Sequence, residues 1–279
     1  MAAERLLARL ASAFGVLVAF LFLLPVAWIV SLSLREPRDV LSPRLFTAPT
    51  LDNYRAVLLE DEAFLHGLYN SVLVALGATA IGLAAGVPAA YALARMRFRG
   101  ARRFWEFVLS TRMAPPAAMV IPFYVLYFRA GLLDTRLGLI LLHGALNTSL
   151  VIWMLRGFFE DVPVELEEAA RIDGCGRIGA FFRVTLPLSA PGVGATAIFA
   201  LVASWNEFLF ATMLAGGEAR TGPVAIAQFI TFRAVVWGKL AAASVLTALP
   251  IVGVVLLVQG QMMRWLTRVT HVHGAPPPR

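Results

Sequence analysis

Three carboxylates, Glu165, Glu167 and Glu168, stand between Pro163 and the pair Ala169-Ala170, and Gly174 follows after Arg171, Ile172 and Asp173. That order suits a short helix. Proline is tolerated at the first helical position, acidic side chains favour the positive end of the dipole, and glycine takes the left-handed conformation that ends the last turn. Leu166, Ala169 and Ala170 fall at i, i+3 and i+4, a small apolar face suited to close contact. A second short helix is expected beyond Gly174, with Ile178, Phe181 and Phe182 on one face and Arg177 and Arg183 on others, until Leu186-Pro187 stops it. Two helices joined by a tight turn offer recognition rather than bond-making. They form either a protruding handle for another macromolecule or an interfacial element packed beside a membrane.

A second polar group lies in apolar surroundings. Glu207 follows Trp205 and Asn206, and Asn147-Thr148-Ser149 interrupts another hydrophobic run. An ionisable group at membrane depth is costly and faces a cavity or a partner. Asn206, Glu207, Asn147 and Thr148 are therefore candidates to line a path, with helix packing or interfacial anchoring as the competing role for each. Arg112 is expected to snorkel to a surface or to pair with Glu106 or Glu207. Catalysis is not indicated, because no paired carboxylates, Ser-His-Asp set or nucleophilic cysteine stands in a supporting context. Cys175 is the sole cysteine, which excludes an intrachain disulfide and the usual thiolate metal sites. His66, His143, His271 and His273 include no H-E-x-x-H pair, so no metal site is expected. A G-x-x-x-x-G-K-[ST] phosphate loop is missing too, since the only Gly-Lys, Gly238-Lys239, runs on into Leu240.

The elements that position these residues are membrane helices. Hydrophobic residues make up 59% of 279 positions and mean hydropathy is +0.76, above the roughly 45–50% apolar content of soluble domains. Apolar runs of about 20 residues, the length that crosses roughly 30 Å of hydrocarbon, recur at about 11–34, 70–93, 105–128, 137–158, 191–214 and 240–258. The expected fold is all-α and integral to the membrane, one domain over 1–279 with six spans. The first run exceeds the roughly 7–15 residues of a signal-peptide core and reads as a retained span, bent at Pro25. Arg112, Pro115-Pro116 and Pro122 make the third a kinked or interrupted helix. Residues Arg35 to His66 read as a water-exposed segment. Five arginines crowd the nine residues Arg95 to Arg103, which places that loop and both termini on the cytoplasmic side. Arg5, Arg9, Arg264 and Arg268 agree, whereas Arg35, Arg38, Arg44 and Arg55 on the other side make the bias moderate. The net charge of +7 follows this topology and comes with no nucleic-acid-binding pattern.

Glu168-Ala169-Ala170, then Gly174 after three residues, then Val184-Thr185-Leu186-Pro187 after nine more, resembles the EAA loop of ATP-binding-cassette importer permeases. Val184 stands where that pattern has isoleucine. The resemblance covers nearly the whole chain and is nearest to the carbohydrate-type permeases, supported by Ser110-Thr111-Arg112-Met113-Ala114-Pro115-Pro116, Gly131-Leu132-Leu133-Asp134-Thr135 and Trp205-Asn206-Glu207-Phe208. It implies a type I ABC importer permease fold in a bacterial inner membrane, with residues 159–190 as the cytoplasmic coupling loop. Glu168, Ala169, Ala170, Asp173, Gly174, Leu186 and Pro187 would form its ATPase-coupling set. The implied partners are an ABC ATPase dimer, a second permease, an extracytoplasmic solute-binding protein and the lipid bilayer. ATP and magnesium would be used by the ATPase, with no cofactor bound by this chain. The implied cargo is a sugar or polyol. An amino-acid or polyamine importer shares the loop, and an ion-driven secondary transporter or a non-transporting scaffold are the readings from other classes.

Overall fold

Backbone amides in hydrocarbon have no partner but their own helix, and the computed structural model of the chain is helical accordingly. It describes residues 2–40, 48–231 and 235–273, with side chains for 10–40, 48–231 and 235–257. Arg44 lies outside the described residues, as do the side chains of Arg5, Arg9, Arg264, Arg268, His271 and His273. The helices that matter here are α1 (Ala2–Ser33), α2 (Glu62–Arg95), α3 (Ala101–Met113), α4 (Pro116–Ala130), α5 (Arg136–Glu160), α6 (Val164–Ile172), α7 (Arg177–Leu188), α8 (Ala190–Trp205), α9 (Leu209–Leu214) and α10 (Trp237–His273).

Four of the described helices are long and apolar enough to cross a membrane, over Leu10–Ser33, Glu62–Arg95, Arg136–Glu160 and Trp237–Leu257. The pair α7 and α8, bent by 76° at Ser189, makes a fifth if it counts as one span. The region expected as a third span is two helices, because Ala114 and Pro115 are extended and Pro116 starts α4. The fifth expected span is also divided, α8 ending at Trp205 and α9 starting at Leu209. Pro25 sits within the uninterrupted α1.

Two compact units make up the chain. One comprises Met1–His66 with Ala225–Leu249, the other Gly67–Val224 with Pro250–Arg279. In the first, Val57 and Phe64 are buried with Ala225, Phe229, Ala242 and Ala243. The 35–66 segment is thus no simple solvated linker: short helices form at Asp52–Arg55 and Ala56–Glu60 because these apolar side chains have a core to fill. Asn53 ties it further, its amide donating to the carbonyls of Ser33 and Arg35 at 3.0 and 2.8 Å.

In the second unit α5 packs against α8 and α3, and a seam of small residues brings it against α2. A Cβ on Gly82 would lie 2.8 Å from that of Asn147, and one on Gly144 would lie 2.8 Å from Ile81 Cγ2. Association in lipid depends on such close van der Waals contact, since tails and side chains are equally apolar.

Candidate functional site

Helix α6 occupies the place expected for the short acidic helix, with Pro163 one position earlier than anticipated, as its extended N-cap. Its end is a Schellman turn. Gly174 has φ +92°, its N–H donates to Arg171 O at 3.1 Å, and the N–H of Cys175 donates to Ala170 O at 3.0 Å.

The faces of α6 divide sharply. Leu166 is 45% exposed, Glu168 and Ala169 are exposed, and Ala170 is half-buried. Glu167 is the helix's one buried residue. Its Oε1 accepts from Arg95 Nε at 2.8 Å and from Thr185 Oγ1 at 2.6 Å, and its Oε2 accepts from the Tyr91 hydroxyl at 2.9 Å. Arg95 also donates to the carbonyl of Val162. Burial pushes the Glu167 carboxyl upward, but the bonds from Thr185, Tyr91 and Arg95 and the Arg95 charge outweigh it and hold the group below its ordinary value near 4.5. The Tyr91 ring lies against Phe181 at 4.5 Å and edge-on to Phe159 at 6.1 Å. A cavity of about 380 Å3 opens beside this network, lined in part by Arg97, Glu168, Arg171 and Arg177.

Beyond the turn the expectation needs correction. Phe181 is buried, whereas Ile178 is 74% and Phe182 59% exposed, so the three do not share a packed face. The inner face is formed instead by Ala180, Phe181 and Thr185, the last two within a wider helical turn over Phe181–Thr185. Nor does Leu186-Pro187 stop the helix: Pro187 lies in its first turn after that bulge, where its missing N–H costs little, and the bend comes at Ser189. Leu186 packs on the core around Tyr91 and Phe181, and Pro187 is exposed. Asp173 and Gly174 are exposed at the turn.

The intramembrane candidates are placed as follows. Glu207 lies in the break between α8 and α9, where its carboxylate accepts from the amides of Phe210 and Ala211 at 2.9 and 3.0 Å. It satisfies donors that a helix start otherwise leaves orphaned. His143 Nε2 stands 3.3 Å from Glu207 Oε2, and His143 Nδ1 lies 2.9 Å from Ser204 Oγ. Asn206 is exposed beside this cluster. Asn147 is buried and donates to Ala200 O at 3.0 Å, and Thr148 bonds back to Gly144 O at 2.8 Å. Arg112 is exposed and pairs with neither suggested acid, since Glu106 holds Arg102 at 2.8 Å and Glu207 faces His143.

A third cluster had no counterpart in the sequence reading of single residues. Asp134, at φ +54°, accepts from the amides of Gly217, Glu218 and Ala219 at 3.0, 2.9 and 3.1 Å. Asn70 donates to the carbonyls of Glu218 and Arg220, both at 2.8 Å, and accepts from Arg136 at 2.7 Å. The 214–222 turn is thereby fixed to the third turn of α2 and to the start of α5.

Residues 82–268, two thirds of the chain, match the family described as binding-protein-dependent transport system inner membrane component. The chain belongs to that family. The permease is 38% identical over 250 residues to the trehalose transport system permease protein SugB of Mycobacterium tuberculosis, covering 88% of this chain and 90% of the relative. It is 34% identical over 269 residues to the trehalose/maltose transport system permease protein MalG of Thermococcus litoralis, covering 95% and 97%. Among solved structures it resembles a bacterial ABC transporter involved in the import of the acidic polysaccharide alginate, with a TM-score of 0.76 and 25% identity over 92% of this chain and 97% of that one. The permease is thus an inner-membrane transport subunit of the type I permease fold.

Of the residues that resemblance singles out, the structure puts Glu168, Ala169 and Asp173 on the free side of one short element. It also reveals Glu167, Tyr91, Arg95, Thr185, His143, Ser204 and Asp134, which motif spacing passed over. One signal was available: Tyr91 and Arg95 are four apart at the end of a helix, hence on one face, with a carboxylate-rich helix to follow.

Proposed function

We propose that this permease forms half of the translocation path of an importer for a sugar or polyol, with six spans and both termini in the cytoplasm. Helix α6 seats on one ATPase of an ABC ATPase dimer, through Glu168, Ala169 and Ala170, with Asp173 and Gly174 shaping the turn and Leu186-Pro187 leading back to the membrane. A second permease completes the path and an extracytoplasmic binding protein delivers the solute. ATP and magnesium are used on the ATPase, and this chain binds no cofactor.

The observation that carries this reading is the division of α6, whose apolar and small side chains face away from the protein while a charge faces in. A helix with that polarity is built to be covered by something else. The cargo class rests on relatives named for trehalose and maltose transport and on a structural neighbour named for alginate import. Glu207, half-buried at the break between α8 and α9, is the leading path-lining residue, with Asn206 exposed beside it. Asn147 and Thr148 on α5 are the further path-lining candidates.

The test is a pull-down of the chain from solubilised native membranes, followed by ATPase assays with binding protein and trehalose, maltose or polyols. Recovery of an ATPase and a second permease, with hydrolysis stimulated by one loaded binding protein, is the expected result. Glu168→Lys should lose the ATPase while still inserting in the membrane. Normal assembly and uptake in that variant would remove the docking role of α6.

A further inference from the structure

We infer that Glu167 is a positioning residue that locks α6 to the C-terminal end of α2, so that the two move as one body when the importer cycles. The inference rests on the proposal that α6 receives the ATPase.

Nine residues of helix ordinarily attach to a protein by an apolar stripe. In α6 no apolar residue is buried, and the one buried side chain is a carboxylate. Apolar contact is non-directional and tolerates sliding. A carboxylate held by three donors does not, because each hydrogen bond weakens steeply as its angle departs from linear. The donors come from two elements: Tyr91 and Arg95 from α2, and Thr185 from the end of the widened turn in α7. Arg95 simultaneously holds the carbonyl of Val162, between α5 and α6. Both ion-pair partners are nearly sealed from solvent, with side chains 9% and 10% exposed, so water cannot readily substitute for either. Tyr91 is itself immobilised between Phe159 and Phe181.

The consequence is mechanical. A push on the exposed face of α6 meets a network in which α6 cannot rotate without breaking a bond to α2 or to α7. Buried ion pairs contribute little net stability compared with apolar packing, but they specify one arrangement among several. At Glu167 the specified arrangement is the angle between the docking helix and the membrane helix beneath it.

The experiment measures that angle's persistence in the assembled importer. Nitroxides on the native Cys175 and on Leu76→Cys, which lies exposed further along α2, report their separation by pulsed electron paramagnetic resonance, the other subunits being cysteine-free. Distances are recorded without nucleotide and after trapping with ATP and vanadate, in the parent protein and with Glu167→Gln, Tyr91→Phe or Thr185→Val added. The parent should give one narrow distance, the same in both states. Glu167→Gln should lose that single peak, and Tyr91→Phe and Thr185→Val should broaden it to a lesser degree. A parent distance that shifts on trapping overturns the lock, since α6 then slides on α2. So does a Glu167→Gln distance as narrow as the parent's. Where Glu167→Gln fails to assemble, unchanged widths in both Tyr91→Phe and Thr185→Val overturn it instead. ATPase recovery with Glu168→Lys, measured in parallel, reads the docking proposal separately: its retention removes docking and leaves the distances to judge the lock.

Discussion

Both ends of the second unit use a buried or half-buried carboxylate to hold a loop, yet they are built from different materials. At the C-terminal end of α2, Glu167 is met by side chains, Tyr91, Arg95 and Thr185, contributed by two helices. At the N-terminal end, Asp134 is met by consecutive backbone amides of Gly217, Glu218 and Ala219. A side-chain cradle can be altered donor by donor, whereas an amide cradle depends on one acceptor and on chain geometry. Gly217 belongs to that geometry, since a Cβ there would collide with Asp134 Oδ2. The first arrangement suits a joint that must transmit force at a set angle; the second suits a turn that must keep its shape.

That contrast can be broken by substitution. Glu167→Ala should have the largest effect, about 3–5 kcal/mol, because it leaves Arg95 buried without its counter-charge; the thermal unfolding midpoint of the solubilised chain measures it. Asp134→Ala should cost about 2 kcal/mol for the charged acceptor lost, and hydrogen exchange should quicken at 217–219 while the α6 region stays protected. Exchange quickening at both ends would erase the distinction. Gly174→Val should cost about 1–2 kcal/mol, the strain of a left-handed turn for a β-branched residue, and should weaken ATPase recovery with little change elsewhere. Tyr91→Phe keeps the ring contacts and removes one bond, for about 1 kcal/mol.

Acidity sharpens the comparison with the smallest effect of all. The Glu167 carboxyl is held below its ordinary value near 4.5, so its contribution is present above that value and is lost as pH falls through the lowered one. Unfolding midpoints should therefore show no Glu167-dependent difference between neutral and mildly acidic buffer, and wild type and Glu167→Gln should converge only below the usual carboxylate range. Convergence nearer neutrality would mean that burial, not the three donors, governs this group.

What the chain made legible in advance was local. The acidic helix, its glycine turn and the apolar runs depend on neighbours within a few positions, where dipole, capping and periodicity act directly. Proline at 115–116 likewise announced the interruption between α3 and α4. The ties of Glu167 were hidden because its partners lie 72 and 76 positions earlier, and no periodic rule reaches that far. The split between α8 and α9 was missed for a related reason. Trp205-Asn206-Glu207 reads as a polar interruption in a hydrophobic run, but the break is sustained by a side chain bonding three and four residues ahead and facing His143 from another helix. Ile178 and Phe182 were placed on the inner face because large apolar side chains outranked Ala180 and Thr185, the small ones that are buried beside Phe181.

Among the nine residues of α6, Glu167 is the one that is buried. Leu166, Glu168 and Ala169 are exposed, so substitutions there leave the buried Glu167 joint as it is. On the proposed docking role, a hybrid transporter would then exchange its ATPase by editing one side of a nine-residue helix.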